Sequence, residues 1–121
     1  MLTKGIKASV LAVVMLAVNV VPAWAGAIPS PRRGEYRIAA RSYRTFSVRF
    51  RAYEVARVVV EGDGDTDLDL YIYNEDGALV ASDDDSSDYC VAEWVPRRTQ
   101  TYTIKVVNRG YVYNDCTIET N

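Results

Sequence analysis

Residues 63–73 read DGDTDLDLYIY, and their alternation decides the fold. Asp67, Asp69, Tyr71 and Tyr73 interleave with Leu68, Leu70 and Ile72. A period of two places successive side chains on opposite faces of a strand, so Leu68, Leu70 and Ile72 face a core while Asp67 and Asp69 share the outer face. Asn74-Glu75-Asp76-Gly77 follows, a turn signal because Asn, Asp and Gly tolerate tight or left-handed backbone. Ala78 to Ala81 then gives a short apolar return, leading to Asp83-Asp84-Asp85. The expected hairpin brings two acidic patches towards one end of a sheet. Residues 61–88 hold eleven carboxylates and no Lys or Arg.

Outward from this hairpin the same period recurs. Phe46, Val48 and Phe50 alternate with Thr45, Ser47, Arg49 and Arg51, and Val55 to Val60 is a β-branched run with Arg57 on the outer parity. Cys90, Ala92 and Trp94 share one face of a segment ended by Pro96, and Tyr102, Ile104 and Val106 share one face of the next. Asn108-Arg109-Gly110 turns the chain, and Val112 to Ile118 returns it. No sustained 3.6-residue period occurs outside the first 25 residues. The pattern predicts an all-β fold, an antiparallel β-sandwich of about seven to eight short strands.

The first 25 residues read differently. Lys4 and Lys7 precede an apolar run from about Ala8 to Val21, and Ala23-Trp24-Ala25 closes it. A basic start, an apolar stretch shorter than the ~20 residues of a spanning helix, and an Ala-x-Ala ending predict a cleaved secretory signal peptide over 1–25. The expected product is exported, periplasmic or extracellular, with no membrane span. It has 96 residues, with twelve Lys and Arg against sixteen Asp and Glu, a net charge of −4. Residues 26–42, with Pro29, Pro31 and Gly34, read as an irregular leader with a possible short first strand. Residues 43–121 read as the sandwich domain.

Eight arginines against Glu35 and Glu54 make residues 26–60 basic, in contrast to the acidic hairpin. Arg49, Arg51 and Arg57 sit at outward strand positions that protect a sheet, which argues against a nucleic-acid partner. In an exporting compartment Cys90 and Cys116, both on inward parity, are expected to form a disulfide. Closing that 27-residue loop is worth about 3.5 kcal/mol in the chain-entropy account.

The chain has no histidine, which removes Ser-His-Asp and Cys-His catalysis and His-based zinc sites. No Gly-rich phosphate loop is present. A carboxylate pair of the glycosidase kind lacks the apolar surroundings that would raise one pKa. No enzyme is expected. Clustered carboxylates suit a hard cation, and calcium accepts six to eight oxygen ligands in irregular geometry. Asp63-x-Asp65-x-Asp67 imitates the start of an EF-hand loop, but Leu68 replaces its Gly and Asn74 its closing Glu. The calcium candidates are Asp67, Asp69, Asp83, Asp84 and Asp85. The alternative is a solvated acidic edge that resists aggregation, in a metal-free structural or self-associating envelope protein. Tyr36, Tyr43, Tyr53, Tyr71, Tyr73, Tyr111 and Tyr113 fall on outward parities. Among them Tyr71, Tyr73, Tyr111 and Tyr113 are the candidate surface for a protein or polysaccharide partner.

Gly64-Asp65-Thr66-Asp67-Leu68-Asp69-Leu70-Tyr71, with Gly77, Asp83-Asp84-Asp85 and PRRTQTYTIKVVN at 96–108, resembles the bacterial pre-peptidase C-terminal domain family. The resemblance covers about Tyr43 to Ile118. It implies a jelly-roll-like sandwich without catalytic activity, commonly an accessory to exported enzymes. Some members bind calcium through aspartates near the motif, which here implies Asp67, Asp69 and Asp83–Asp85. Two positions depart from the family pattern. Gln100 stands where a Gly is frequent, and Tyr53 where a turn Gly is common.

Overall fold

The computed structural model describes residues 26–121, so the expected signal peptide lies outside the described residues. Nine strands follow in order: β1 (Ala27–Ile28), β2 (Arg32–Ile38), β3 (Tyr43–Phe50), β4 (Ala56–Glu61), β5 (Leu68–Tyr73), β6 (Leu79–Asp83), β7 (Tyr89–Trp94), β8 (Gln100–Asn108) and β9 (Asn114–Thr120). They form two packed sheets, ordered β1-β3-β8-β5-β6 and β2-β9-β4-β7. Every pairing is antiparallel. The β-sandwich expected from the alternation is the fold.

The alternation becomes a core because each strand turns one parity towards the opposite sheet. Val48 and Phe50 of β3, Leu68, Leu70 and Ile72 of β5, and Tyr102, Ile104 and Val106 of β8 are buried from one side. Val58 and Val60 of β4, Cys90 and Ala92 of β7, and Cys116 and Ile118 of β9 meet them from the other. Phe50, Trp94 and Tyr102 lock the sheets together edge to face, with ring centroids 5.0–5.9 Å apart.

The supposed leader is part of the sandwich. β1 pairs with β3, and β2 pairs with β9 over seven rungs, from Arg32↔Thr120 to Ile38↔Asn114. β2 does alternate, with Gly34, Tyr36 and Ile38 towards the core and Arg33, Glu35 and Arg37 outward. Its inner parity begins with a glycine, so the apolar contrast that marks a strand is weak. A Cβ at Gly34 would run into the end of the Tyr36 ring, which would have to shift to admit it. Tyr36, expected outside, is half-buried and packs on Phe46 with ring centroids 4.6 Å apart.

The expected disulfide is also corrected. Cys90 and Cys116 are buried free thiols on β7 and β9, and β4 runs between those strands. Cys90 is opposite Val60, and Val60 is opposite Ile118, two residues beyond Cys116. Two inter-strand spacings of ~4.8 Å exceed the ~7 Å Cα limit for a bridge. The Cys90 thiol instead lies 3.1 Å from the Leu68 carbonyl oxygen, to which it donates.

The hairpin turn forms as read. Asn74 Oδ1 accepts from the amides of Asp76 and Ala78, each at 3.0 Å, and Gly77 takes the left-handed φ of 82°. Tyr53 takes a φ of 63°, the conformation that a glycine adopts without strain.

Candidate functional site

Two places carry chemistry. The first is the acidic end, where the loop from Gly62 to Asp67 enters β5 beside the β6–β7 loop. Most of its carboxylates are engaged with backbone. Asp63 accepts from the amides of Asp65 (3.0 Å) and Asp115 (2.8 Å). Asp88 accepts from the Gly64 amide at 2.6 Å and occupies the space that a Cβ on Gly62 would need. Asp83 accepts from the Val91 amide at 2.9 Å, tying the edge of one sheet to the edge of the other, and Asp85 accepts from the Ser87 amide at 2.9 Å. Asp84 is exposed.

Asn114 anchors this loop from within. It is fully buried, accepts from the Asp63 amide at 3.1 Å, and donates to Thr66 Oγ1 (3.0 Å) and Asp88 Oδ2 (3.3 Å). Its equally buried counterpart Asn108 donates to the carbonyls of Ile38 and Val112 and accepts from the Gly110 amide. Neither asparagine was marked by alternation, since a polar residue on inward parity reads as a break in the pattern.

Asp67 and Asp69 share the outer parity of β5, as expected, but Asp69 is only 5% exposed. The β8–β9 turn folds over it. The Arg109 amide donates to the Asp67 carbonyl at 2.9 Å, and Arg109 Nε lies 2.7 Å from Asp69 Oδ2. Arg109 Nη2 also donates to the Tyr71 hydroxyl at 3.1 Å. Asp67 Oδ1 and Asp69 Oδ1 are buried without a hydrogen-bond partner. Burial pushes the Asp67 carboxyl above its usual range, and the charges of Asp69, Asp85 and Asp84 add to that, against the opposing pull of Arg109. Among the described residues, no three carboxylates or thiols stand together as a ready-made metal cage.

The second place is a cleft of about 350 Å³ on the outer face of the β3-β8-β5 sheet. Tyr43, Tyr71 and Tyr73 line it with Lys105, Arg41 and Arg109. The register explains the grouping, because Lys105 is opposite Thr45 on one side and Tyr71 on the other. Arg41 enters from the β2–β3 turn, where its Nη1 donates to the Arg109 carbonyl.

No known family model and no curated protein matches the chain. The site's chemistry is therefore read from its own residues.

The candidate tyrosines divide. Tyr71 and Tyr73 line the cleft, whereas Tyr111 and Tyr113 belong to the β8–β9 loop and stand beneath Arg41 and Arg37, with guanidinium carbons 5.0 and 3.8 Å from the ring centroids. Arg37 also hydrogen-bonds Asp115 at 2.8 and 3.1 Å, holding that carboxyl below its usual range. Lys105 and Arg41 were not singled out in the sequence. The outward parity of Lys105 was the available signal, but the neighbouring strand was not. Burial pushes the Cys90 thiol up to about 12 and Cys116 to about 11, so neither ionises at neutral pH to act as a nucleophile.

Proposed function

We propose that the chain is an exported, non-catalytic ligand-binding module whose acidic end takes up calcium. The observation that carries this reading is the pair of buried, unpartnered carboxylate oxygens, Asp67 Oδ1 and Asp69 Oδ1. Native proteins rarely bury such atoms without a partner, and a hard cation supplies one. The resemblance of residues 64–71 to the pre-peptidase C-terminal family supports the same assignment. Calcium would sit against Asp67 and Asp69, with Asp83, Asp84 and Asp85 as the remaining candidates from the facing loop. Of these, Asp84 makes no side-chain bond, so it is the first available to turn inward. The accessory role fits a small sandwich with no histidine and no ionised thiol.

Thermal unfolding of residues 26–121 in EDTA and in calcium tests the reading. A site of about 0.1 mM, within the range of extracellular modules, adds roughly 2.7 kcal/mol in about 10 mM calcium. For a domain of this size that raises Tm by ~10 °C or more. The shift is expected to vanish in Asp67→Asn/Asp69→Asn. Absence of any shift sinks the metal assignment. It would favour a metal-free structural or self-associating protein, a reading supported by Arg109, which already balances the charge of Asp69.

A further inference from the structure

We propose that the cleft over β3, β8 and β5 binds a short acidic oligosaccharide, one carrying uronate or sulfate groups. The inference deepens the reading of the chain as a non-catalytic binding module, and it does not depend on calcium.

Charge is the first ground. Arg41, Lys105 and Arg109 line the cleft and no carboxylate does, on a chain whose described residues carry a net charge of −4. Three of the twelve cations of residues 26–121 therefore meet at one cleft that no carboxylate lines. Asp69 lies beside the cleft, but its charge is spent on Arg109 at 2.7 Å. Arg109 keeps its remaining donors, since it is half exposed and only its Nε and Nη2 are engaged here. A guanidinium with open donors binds carboxylate or sulfate in its plane.

Ring surface is the second ground. Tyr43 is 53% exposed, and Tyr71 and Tyr73 stand two residues apart on one face of β5. Lys105 Nζ lies over the Tyr43 ring, 4.5 Å from its centroid, so the ring holds the cation in place at the cleft. A pyranose presents C–H groups that pack on the remaining tyrosine surface of the cleft, Tyr71 and Tyr73, while its acidic substituent reaches Lys105 or Arg109. Tyrosines held on paired strands offer that surface at little entropic cost.

The backbone argues against an extended acidic peptide. Peptides commonly dock by adding a strand to an open sheet edge. Here β8, the floor of the cleft, is paired on both sides, with β3 and with β5. β3 is open beyond its two rungs with β1, but a strand added at that edge would extend the sheet sideways and not lie in the cleft. Recognition must then come from side chains, which suits a ligand read by ring faces and charge. The volume of about 350 Å³ lies at the small end of ligand clefts, which favours an oligosaccharide end or short stretch.

The test is calorimetric titration of residues 26–121 with trigalacturonate in EDTA, with neutral galactotriose and poly-L-glutamate as comparisons. Working in EDTA separates this proposal from the calcium assignment, which is read from melting temperatures instead. Binding of trigalacturonate that weakens with added salt is expected, with no binding of galactotriose and weaker binding of poly-L-glutamate. Lys105→Ala and Tyr43→Ala, each melting as a cooperative fold, should each weaken affinity about tenfold, equivalent to roughly 1.4 kcal/mol. Arg97→Ala, remote from the cleft, should leave affinity unchanged. No binding by the parent chain overturns the proposal. Equal binding of galactotriose, poly-L-glutamate binding as tightly, or undiminished affinity in both cleft variants overturns it as well.

Discussion

Asp67 and Asp69 differ by two residues and share one face, yet their surroundings set them apart. Asp69 is compensated by Arg109, whereas Asp67 lacks a direct ionic partner and has a raised pKa. A folded-state pKa above the unfolded value means that the native state holds the proton more tightly. The associated stability is complete below the unfolded pKa and is lost as pH rises through the folded one. At neutral pH and without metal, ionised Asp67 therefore destabilises the fold. Asp67→Asn should raise Tm in EDTA at pH 7, and the gain should shrink as pH falls through the raised folded pKa towards the ordinary carboxylate range, below which both states hold the proton. Thermal melts of both proteins across that range make the comparison. A lower Tm for the variant at pH 7 would mean that the ionised carboxylate is stabilised by an interaction that this geometry lacks. The sequence told on which face Asp67 and Asp69 lie. It could not tell that Arg109, forty positions beyond Asp69, closes over that face, because a turn signal specifies a reversal and not where the turn's side chains land.

Strand identity was legible wherever apolar and polar residues contrast, as in β3, β5, β7 and β8. It was weak in β2, read as a possible short strand in a leader, because Gly34 takes an inward position and leaves only Tyr36 and Ile38 to mark that face. Strand adjacency was less legible still, because parity assigns a face and says nothing of neighbours. The cysteines show the consequence. Both lie inward, as read, but in one sheet with β4 between their strands. Both thiols should stay unreactive towards a thiol reagent in the native state, because burial keeps them protonated and covered. Two thiols per chain should then titrate after denaturation without reductant. Recovery of no thiol in the denatured, unreduced protein would show a bridge, and with it a different order of β4, β7 and β9.

At the scale of the whole molecule, the sandwich depends on contacts distant in sequence. β2 and β9 join residues 32–38 to residues 114–120, and the Ala27 amide donates to the Asn121 carbonyl at 2.9 Å. Residues 26–42 also supply buried Ala27 and Ile38 to the core and half-buried Tyr36 to its margin. Fully burying one side chain the size of Ile is worth about 1.5–3 kcal/mol, against a total stability of roughly 5–15 kcal/mol for a small domain. Removing 26–42 would take away these side chains and leave β9 as an open edge inviting association with other chains. A chain of residues 43–121 should therefore lose the sharp thermal transition of residues 26–121 or aggregate. The two can be compared by circular dichroism melts and sedimentation. A cooperative, monomeric 43–121 with undiminished Tm would restore the leader reading and show that β1 and β2 add nothing to the core. Loss of the transition would instead place the N-terminal strands among the elements that hold both the acidic end and the cleft in register, since β9 presents Asn114 to one and β3 presents Tyr43 to the other.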